Sequence, residues 1–215
     1  MIKKELTKRI LSSIILMPIV LFFIVKGTFL FNFFILICLL ITTYEWMKMS
    51  KKNFFKIFGT IFIIISFYTI FKIRNEFDRD YFHLLLVIII CMSTDIGGYL
   101  FGNVFKGPKL TKISPKKTYS GVIGSFLLSI IFTNLFLDIY LDEKTFKFSK
   151  EMFIFILSVS FISQSGDIFV SYFKRKSKIQ DTGNIIPGHG GILDRIDGMI
   201  FAFPFSYLVF LNWIF

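Results

Sequence analysis

Between Ser171 and Asp197 the chain reads SYFKRKSKIQDTGNIIPGHGGILDRID, which crowds Lys174, Arg175, Asp181, Asp194, Arg195 and Asp197 around a glycine-rich turn, with Asp167 just upstream. Hard carboxylate oxygens without matching His or Cys ligands suit Mg²⁺, which keeps several waters and shares its remaining ligands with substrate phosphates. Asp194 and Asp197 are three residues apart and so share one face at the start of a helix, while Asp167 closes in on the end of the preceding apolar run. The element PGHGG, Pro187 to Gly191, lacks side-chain bulk at Gly188, Gly190 and Gly191, so backbone N–H groups there can approach an anion in front of a helix N-terminus. The same glycines would equally serve a tight turn back to the membrane, and His189 either donates to a phosphate or packs that turn. Lys174 and Arg175 end a helix, where basic residues are favoured in any case. Each Asp also has a plainer reading, as the partner of a nearby Lys or Arg. Taken together, the residues point to a phosphate and metal site at a membrane surface.

The rest of the chain must position that site in lipid. With 54% apolar residues and 31 Phe among 215, and a mean hydropathy of +0.70, it is too hydrophobic for one soluble core. Apolar runs cover residues 10–26, 28–44, 55–72, 82–101, 119–138, 152–173 and 196–215. Most approach the ~20 residues that a helix needs to cross ~30 Å of hydrocarbon. The first run follows Lys3, Lys4, Lys8 and Arg9 but leads to no small-residue cleavage site, and a second run follows at once, so it reads as a retained helix. With the N-terminus inside, the internal segments hold 18 of the 25 Lys and Arg residues and the outer ones seven, as the positive-inside rule requires. The expected fold is therefore all-α, a polytopic integral membrane protein of about seven transmembrane helices, N-in and C-out. Residues 1–215 form one membrane-embedded domain, since no soluble domain, repeat or linker interrupts them. Cys38 and Cys91 fall inside runs and suggest no disulfide. The net charge of +11, gathered mostly on one face, suits anionic lipid headgroups or a polyanionic soluble substrate, and so apolar a chain is a poor binder of nucleic acid. Asp95, Asp167 and Asp197 lie within or at the ends of apolar runs, where an unpaired charge costs about 2.5–3.5 kcal/mol, so something must compensate each.

The order of these residues resembles a known family. QSGDIFVSYFKR, Gln164 to Arg175, followed by PGHGGILDRID, Pro187 to Asp197, is similar to the C-terminal signature of phosphatidate cytidylyltransferases, also called CDP-diacylglycerol synthases. STDIGGYLFGN, Ser93 to Asn103, ISPKKTYSG, Ile113 to Gly121, and YEW, Tyr44 to Trp46, also resemble elements of that family. The likeness is strong over residues 93–200 and rests on hydropathy alone in the first two spans. Three features depart from the pattern: Gln180 stands where the signature has Lys, Ser120 where many members have an acidic residue, and the chain is shorter than typical members.

The resemblance implies transfer of a cytidylyl group from CTP to phosphatidate at the cytoplasmic face of a bacterial-type inner membrane, forming CDP-diacylglycerol and pyrophosphate. It points to Asp167 and Asp194 as Mg²⁺ ligands, and the residues themselves add Asp197 and Asp181 as supporting or water-mediated ligands. Lys174, Arg175 and Arg195 would neutralise phosphates, Gly190 and Gly191 would offer backbone donors, and Asp95, Ser114, Lys116, Lys117 and Thr118 would line the approach of nucleotide or lipid phosphate. It leaves room for a second, monovalent ion and for a homodimer. Two other classes share the setting. A transporter would show broken helices near the midplane, whereas the informative residues here gather at one surface. Another CTP-dependent lipid transferase or kinase differs in its motif, and the Asp-Gly-x-x-Ala-Arg element of CDP-alcohol phosphatidyltransferases is absent. The charge asymmetry predicts that labels placed at Lys112 and Lys178 react only from the cytoplasmic side and one at Asp142 only from outside. Outer-side labelling at Lys178 would overturn the seven-span topology.

Overall fold

The computed structural model describes residues 15–77, 81–111, 113–141, 149–186, 188 and 190–212, and all of its regular structure among these is helical apart from two isolated bridges. Lys3, Lys4, Lys8, Arg9, Lys112, Asp142, Pro187 and His189 lie outside the described residues. Among the described residues eight helices follow in order: α1 (Ile15–Lys26), α2 (Thr28–Met49), α3 (Asn53–Glu76), α4 (Phe82–Phe105), α5 (Tyr119–Tyr140), α6 (Lys150–Lys176), α7 (Leu193–Ile196) and α8 (Met199–Asn212). Five of them, α2 to α6, are long and apolar enough to cross a membrane. At 1.5 Å per residue their 22 to 27 residues reach about 33–40 Å, more than the hydrocarbon thickness, so the chain is a multi-pass membrane protein. The described parts of α1 and α8 are shorter apolar helices.

The long helices outrun the apolar stretches that announce them. α2 continues past residue 44 through Glu45 to Met49, α3 reaches Glu76, and α6 extends to Lys176, with Lys174, Arg175 and Lys176 in its last turn. Those three cations meet the negative end of the helix dipole. Lys178, at φ 59°, then turns the chain away. The apolar run from 196 onward is interrupted: Asp194 sits in the single turn of α7, and Asp197 and Gly198 form a break before α8. A Cβ at Gly198 would meet Ser163 Oγ at 2.5 Å and its carbonyl oxygen at 2.7 Å, so this close approach explains the glycine.

The chain forms two compact units, interleaved in sequence. The first comprises Met1–Tyr81 and Phe173–Asp197, the second Phe82–Tyr172 and Gly198–Phe215. In the first, α2 and α3 pack through Trp46, whose Nε1 donates to the Phe55 carbonyl at 3.0 Å. Its ring fills the space left by Gly59, where a Cβ would come within 2.0 Å of the indole. Phe173 packs its ring 5.1 Å from Trp46 and 5.2 Å from Phe55, and Ser177 Oγ donates to the Met49 carbonyl at 2.6 Å. The α2–α3 corner therefore grips the end of α6. Arg74, buried near the end of α3, donates Nε to the Ile24 carbonyl and lies over Phe31 and Tyr81.

In the second unit α4 and α5 approach through small residues, as helices in lipid must do when there is no hydrophobic drive between them. A Cβ at Gly97 would lie 2.3 Å from the Gly124 carbonyl oxygen, and one at Gly124 would lie 2.3 Å from the Phe101 side chain. Ser125 Oγ donates to the Thr94 carbonyl at 2.7 Å, and Thr94 Oγ1 donates to Ser160 Oγ at 2.8 Å. Gly97→Ala therefore drives a methyl into backbone and is expected to cost about 1–3 kcal/mol, lowering the melting temperature by about 2–12 °C. Gly102→Ala meets Thr118 Oγ1 at 3.2 Å and Gly121 Cα at an ordinary 3.9 Å, and should cost less. Equal melting temperatures for wild type and Gly97→Ala in detergent would contradict this packing.

Candidate active site

The first unit contains a polar centre built by three segments. Lys174, on the last turn of α6, reaches Asp194 Oδ1 at 3.1 Å and Asp197 Oδ2 at 3.3 Å, and the three side chains are only 10, 5 and 12% exposed. The spacing of three that puts both acids on one face lets a single ammonium bridge them. Asp194 Oδ2 accepts from the Thr182 N–H at 2.7 Å, the Gly191 N–H at 2.9 Å and Thr182 Oγ1 at 3.0 Å. Thr182 Oγ1 also lies 3.1 Å from Glu45 Oε2. Glu45, 1% exposed, accepts from the Ile192 N–H through Oε1 at 3.1 Å and from the Leu193 N–H through Oε2 at 2.8 Å. Those amides begin α7, and a carboxylate satisfies and complements such a helix start.

The loop is shaped to admit this arrangement. A Cβ at Gly183 or at Gly191 would come within 2.4–2.5 Å of the Glu45 carboxylate. Gly190 has φ +84° and Gly188 φ 75°, left-handed conformations that glycine adopts at no steric cost. The Ile186 N–H donates to the Gly190 carbonyl at 2.9 Å and closes the turn. Asp181, exposed, lies against Gly190, whose Cβ would be 3.0 Å from that of Asp181 and 2.6 Å from Asp194 Oδ2. Arg175 and Arg195 are exposed; Arg175 donates to the Ile179 carbonyl at 3.2 Å.

The second unit holds another group of the residues singled out in the sequence. Lys117 Nζ is 2.7 Å from Asp167 Oδ2 and 3.3 Å from the Gln164 carbonyl, and Ser171 Oγ donates to Asp167 Oδ1 at 3.2 Å. Lys117 is placed by the connection before α5, where its N–H donates to the Ser114 carbonyl at 3.0 Å and its own carbonyl accepts from Leu110 at 2.8 Å. Thr118 caps α5 by accepting from the Gly121 N–H at 3.1 Å. Lys116 is exposed, and Asp95 is exposed near the middle of α4.

The structure thus brings Asp194 and Asp197 together around Lys174, with Asp181, Gly190 and Gly191 beside Asp194. Separately, it joins Asp167 to Lys117. The Gly191 N–H is committed to Asp194 rather than turned toward an incoming anion. Two members of the first centre, Glu45 and Thr182, were absent from the residues selected by sequence. The signal for Glu45 was an acid at the end of an apolar run within the YEW element.

Among the described residues no group of three or more His, Cys, Asp or Glu side chains converges as a metal site. Mg²⁺, however, takes one or two carboxylates together with water and substrate phosphates. Asp194 and Asp197 offer two carboxylates of that oxygen chemistry, with Asp194 Oδ1 and Asp197 Oδ2 accepting from Lys174.

The sequence profile of the family described as "Cytidylyltransferase family" matches residues 7–77 and 52–213. A phosphatidate cytidylyltransferase of Rickettsia typhi is 36% identical over 94% of this chain and 90% of its own length. One from Rickettsia felis is 34% identical over 96% and 93%, and one from Bacillus subtilis 31% over 80% and 64%. The likeness therefore reaches beyond residues 93–200 into the first helices, where Glu45 and Trp46 sit. A profile matching most of the chain and relatives aligned nearly end to end lead to one conclusion: this chain belongs to the cytidylyltransferase family.

Proposed function

We propose that this protein transfers the cytidylyl group of CTP to phosphatidate, releasing pyrophosphate and forming CDP-diacylglycerol. The observation that carries the reading is the buried Asp194–Lys174–Asp197 cluster between the end of α6 and α7, in a chain whose near full-length relatives bear that enzyme's name. An oxygen of the phosphatidate phosphate bonds to the α-phosphorus of CTP, and the bond from that phosphorus to the β-phosphate's bridging oxygen breaks. No protein nucleophile is needed, because a phosphomonoester with second pKa near 6 is largely ionised at neutral pH. The protein's task is to gather two polyanions and stabilise charge on the transferring and leaving groups.

In this reading Asp194 and Asp197 hold Mg²⁺, with Asp181 acting through water, and Asp167 is a further ligand assigned on its signature position. The ion, when bound, supplies positive charge to the phosphates. Arg175 and Arg195 meet phosphate oxygens. Lys174 holds Asp194 and Asp197 near one another despite their like charge and itself presents an ammonium to substrate. Lys116, Lys117, Ser114, Thr118 and Asp95 serve the approach of nucleotide or lipid. The membrane topology that suits this chemistry is seven spans, with α1 and α8 completing the five long helices, the N-terminus inside, and residues 102–118 and 174–195 facing the cytoplasm. The phosphatidate acyl chains stay in the bilayer while CTP arrives from the cytosol.

The test is turnover of CTP labelled at its α-phosphate, with phosphatidate and purified protein in detergent. Label should pass into lipid, unlabelled pyrophosphate should be released in equal amount, and both should require Mg²⁺. Asp194→Asn keeps the side chain's size but removes its charge, and is expected to cut activity at least 100-fold at low Mg²⁺ while the protein still folds and inserts. Full activity of that variant with an unchanged Mg²⁺ response would contradict the assignment, as would label appearing in water-soluble products alone.

A further inference from the structure

We propose that Glu45 is a positioning residue for the reaction, fixing through Thr182 and the start of α7 which oxygen of Asp194 faces the metal and substrate. The inference rests on the reading of Asp194 as a metal ligand. A carboxylate offers about four lone-pair sites. Asp194 Oδ2 accepts from the Thr182 and Gly191 N–H groups and lies within reach of the Thr182 hydroxyl, whereas among the described residues Oδ1 receives the Lys174 ammonium. Oδ1 is therefore the oxygen left for a cation, and the donors on Oδ2 determine where it points.

Those donors are themselves held by Glu45. Its carboxylate takes the Ile192 and Leu193 N–H groups on either oxygen, which fixes the amide plane immediately after Gly191 and the backbone immediately before Asp194. The Thr182 hydroxyl lies between the two carboxylates, 3.1 Å from Glu45 Oε2 and 3.0 Å from Asp194 Oδ2, so its single proton is shared between them or given to either. The absence of side chains at Gly183 and Gly191 lets the loop close around the Glu45 carboxylate. Glu45 itself is 1% exposed on α2, whose end is locked by Trp46 and by the Ser177 contact to Met49. Second-layer contacts of this kind orient metal ligands, and losing one typically costs 10- to 100-fold in metal affinity or activity. A charged buried acceptor set on two consecutive backbone donors cannot be replaced by an amide without turning an N–H donor toward another N–H.

Glu45→Gln, Thr182→Val, Thr182→Ser and Asp194→Asn are compared in detergent by melting temperature, by kcat and KM, and by the Mg²⁺ concentration giving half-maximal rate, using CTP and phosphatidate. Glu45→Gln is expected to lower kcat at least 10-fold and raise the half-maximal Mg²⁺ at least 5-fold, with KM for phosphatidate within about twofold. Thr182→Val should shift both in the same direction, and Thr182→Ser should recover most of what Val loses. Thr182→Val keeps the test open if Glu45→Gln does not fold. A Glu45 that only stabilises the fold would lower the melting temperature while the folded fraction kept its kcat and Mg²⁺ response, and that result would overturn the inference. An Asp194→Asn variant with unchanged Mg²⁺ response would instead overturn the metal reading beneath it. A shift in Asp194→Asn without one in Glu45→Gln and Thr182→Val would overturn the positioning role alone.

Discussion

A carboxylate buried in an apolar helix must be satisfied or it destabilises the fold, and in the first unit the requirement of Glu45 organises everything around it. The carboxylate sits where α2 leaves its apolar stretch, and the donors that satisfy it come from residues 182–193. Those residues would otherwise be an ordinary glycine-rich loop. To present two consecutive N–H groups to one side chain, the loop adopts left-handed turns at Gly188 and Gly190 and abuts Glu45 at Gly183 and Gly191. The start of α7 and the orientation of Asp194 follow from that constraint.

The charge balance is equally tight. Lys174 bridges two acids whose side chains are each no more than 12% exposed. Breaking such a buried arrangement by removing one partner typically costs about 3–5 kcal/mol, because the charges left behind remain desolvated. A cluster with two carboxylates and one ammonium carries a net negative charge before any substrate arrives. In the proposed reading that charge would favour a divalent cation, which would in turn favour phosphates. The pairing of an Asp with a basic residue, which the sequence offered as the plain alternative to a metal site, is present for Asp167, Asp194 and Asp197.

The sequence revealed the membrane class and the chemistry because both are written in composition and in a dense motif. Apolar runs locate helices by what lipid demands of side chains, so they marked the cores of α2 to α6 well. They could not reveal the ends, since helices continue into the interface after the apolar residues stop. Glu45 lies in such an extension, one residue beyond the run 28–44, and its importance depends on residues some 140 positions later that no local pattern connects to it. The same limit applies to Gly198, which breaks the last apolar run because of a neighbour in α6. Thr182 carried no signal at all: a lone threonine beside Asp181 looks like loop. Asp194 and Asp197 were readable as a pair because a spacing of three puts them on one face, whereas the contact of Lys174 with both, 20 and 23 residues away, needed the tertiary fold.

The central claim is that residues 181–197 are already held as a formed reaction centre by Glu45 and Lys174 and that they receive Mg²⁺ and CTP. Hydrogen exchange followed by mass spectrometry on the detergent-solubilised protein addresses it most directly. The account predicts that the amides of Thr182 and of Gly191 to Leu193 exchange slowly in the free protein, and that Mg²⁺ with CTP protects peptides covering 181–197 further. Exchange at the rate of an open loop in the free protein, with no change on adding Mg²⁺ and CTP, would contradict it.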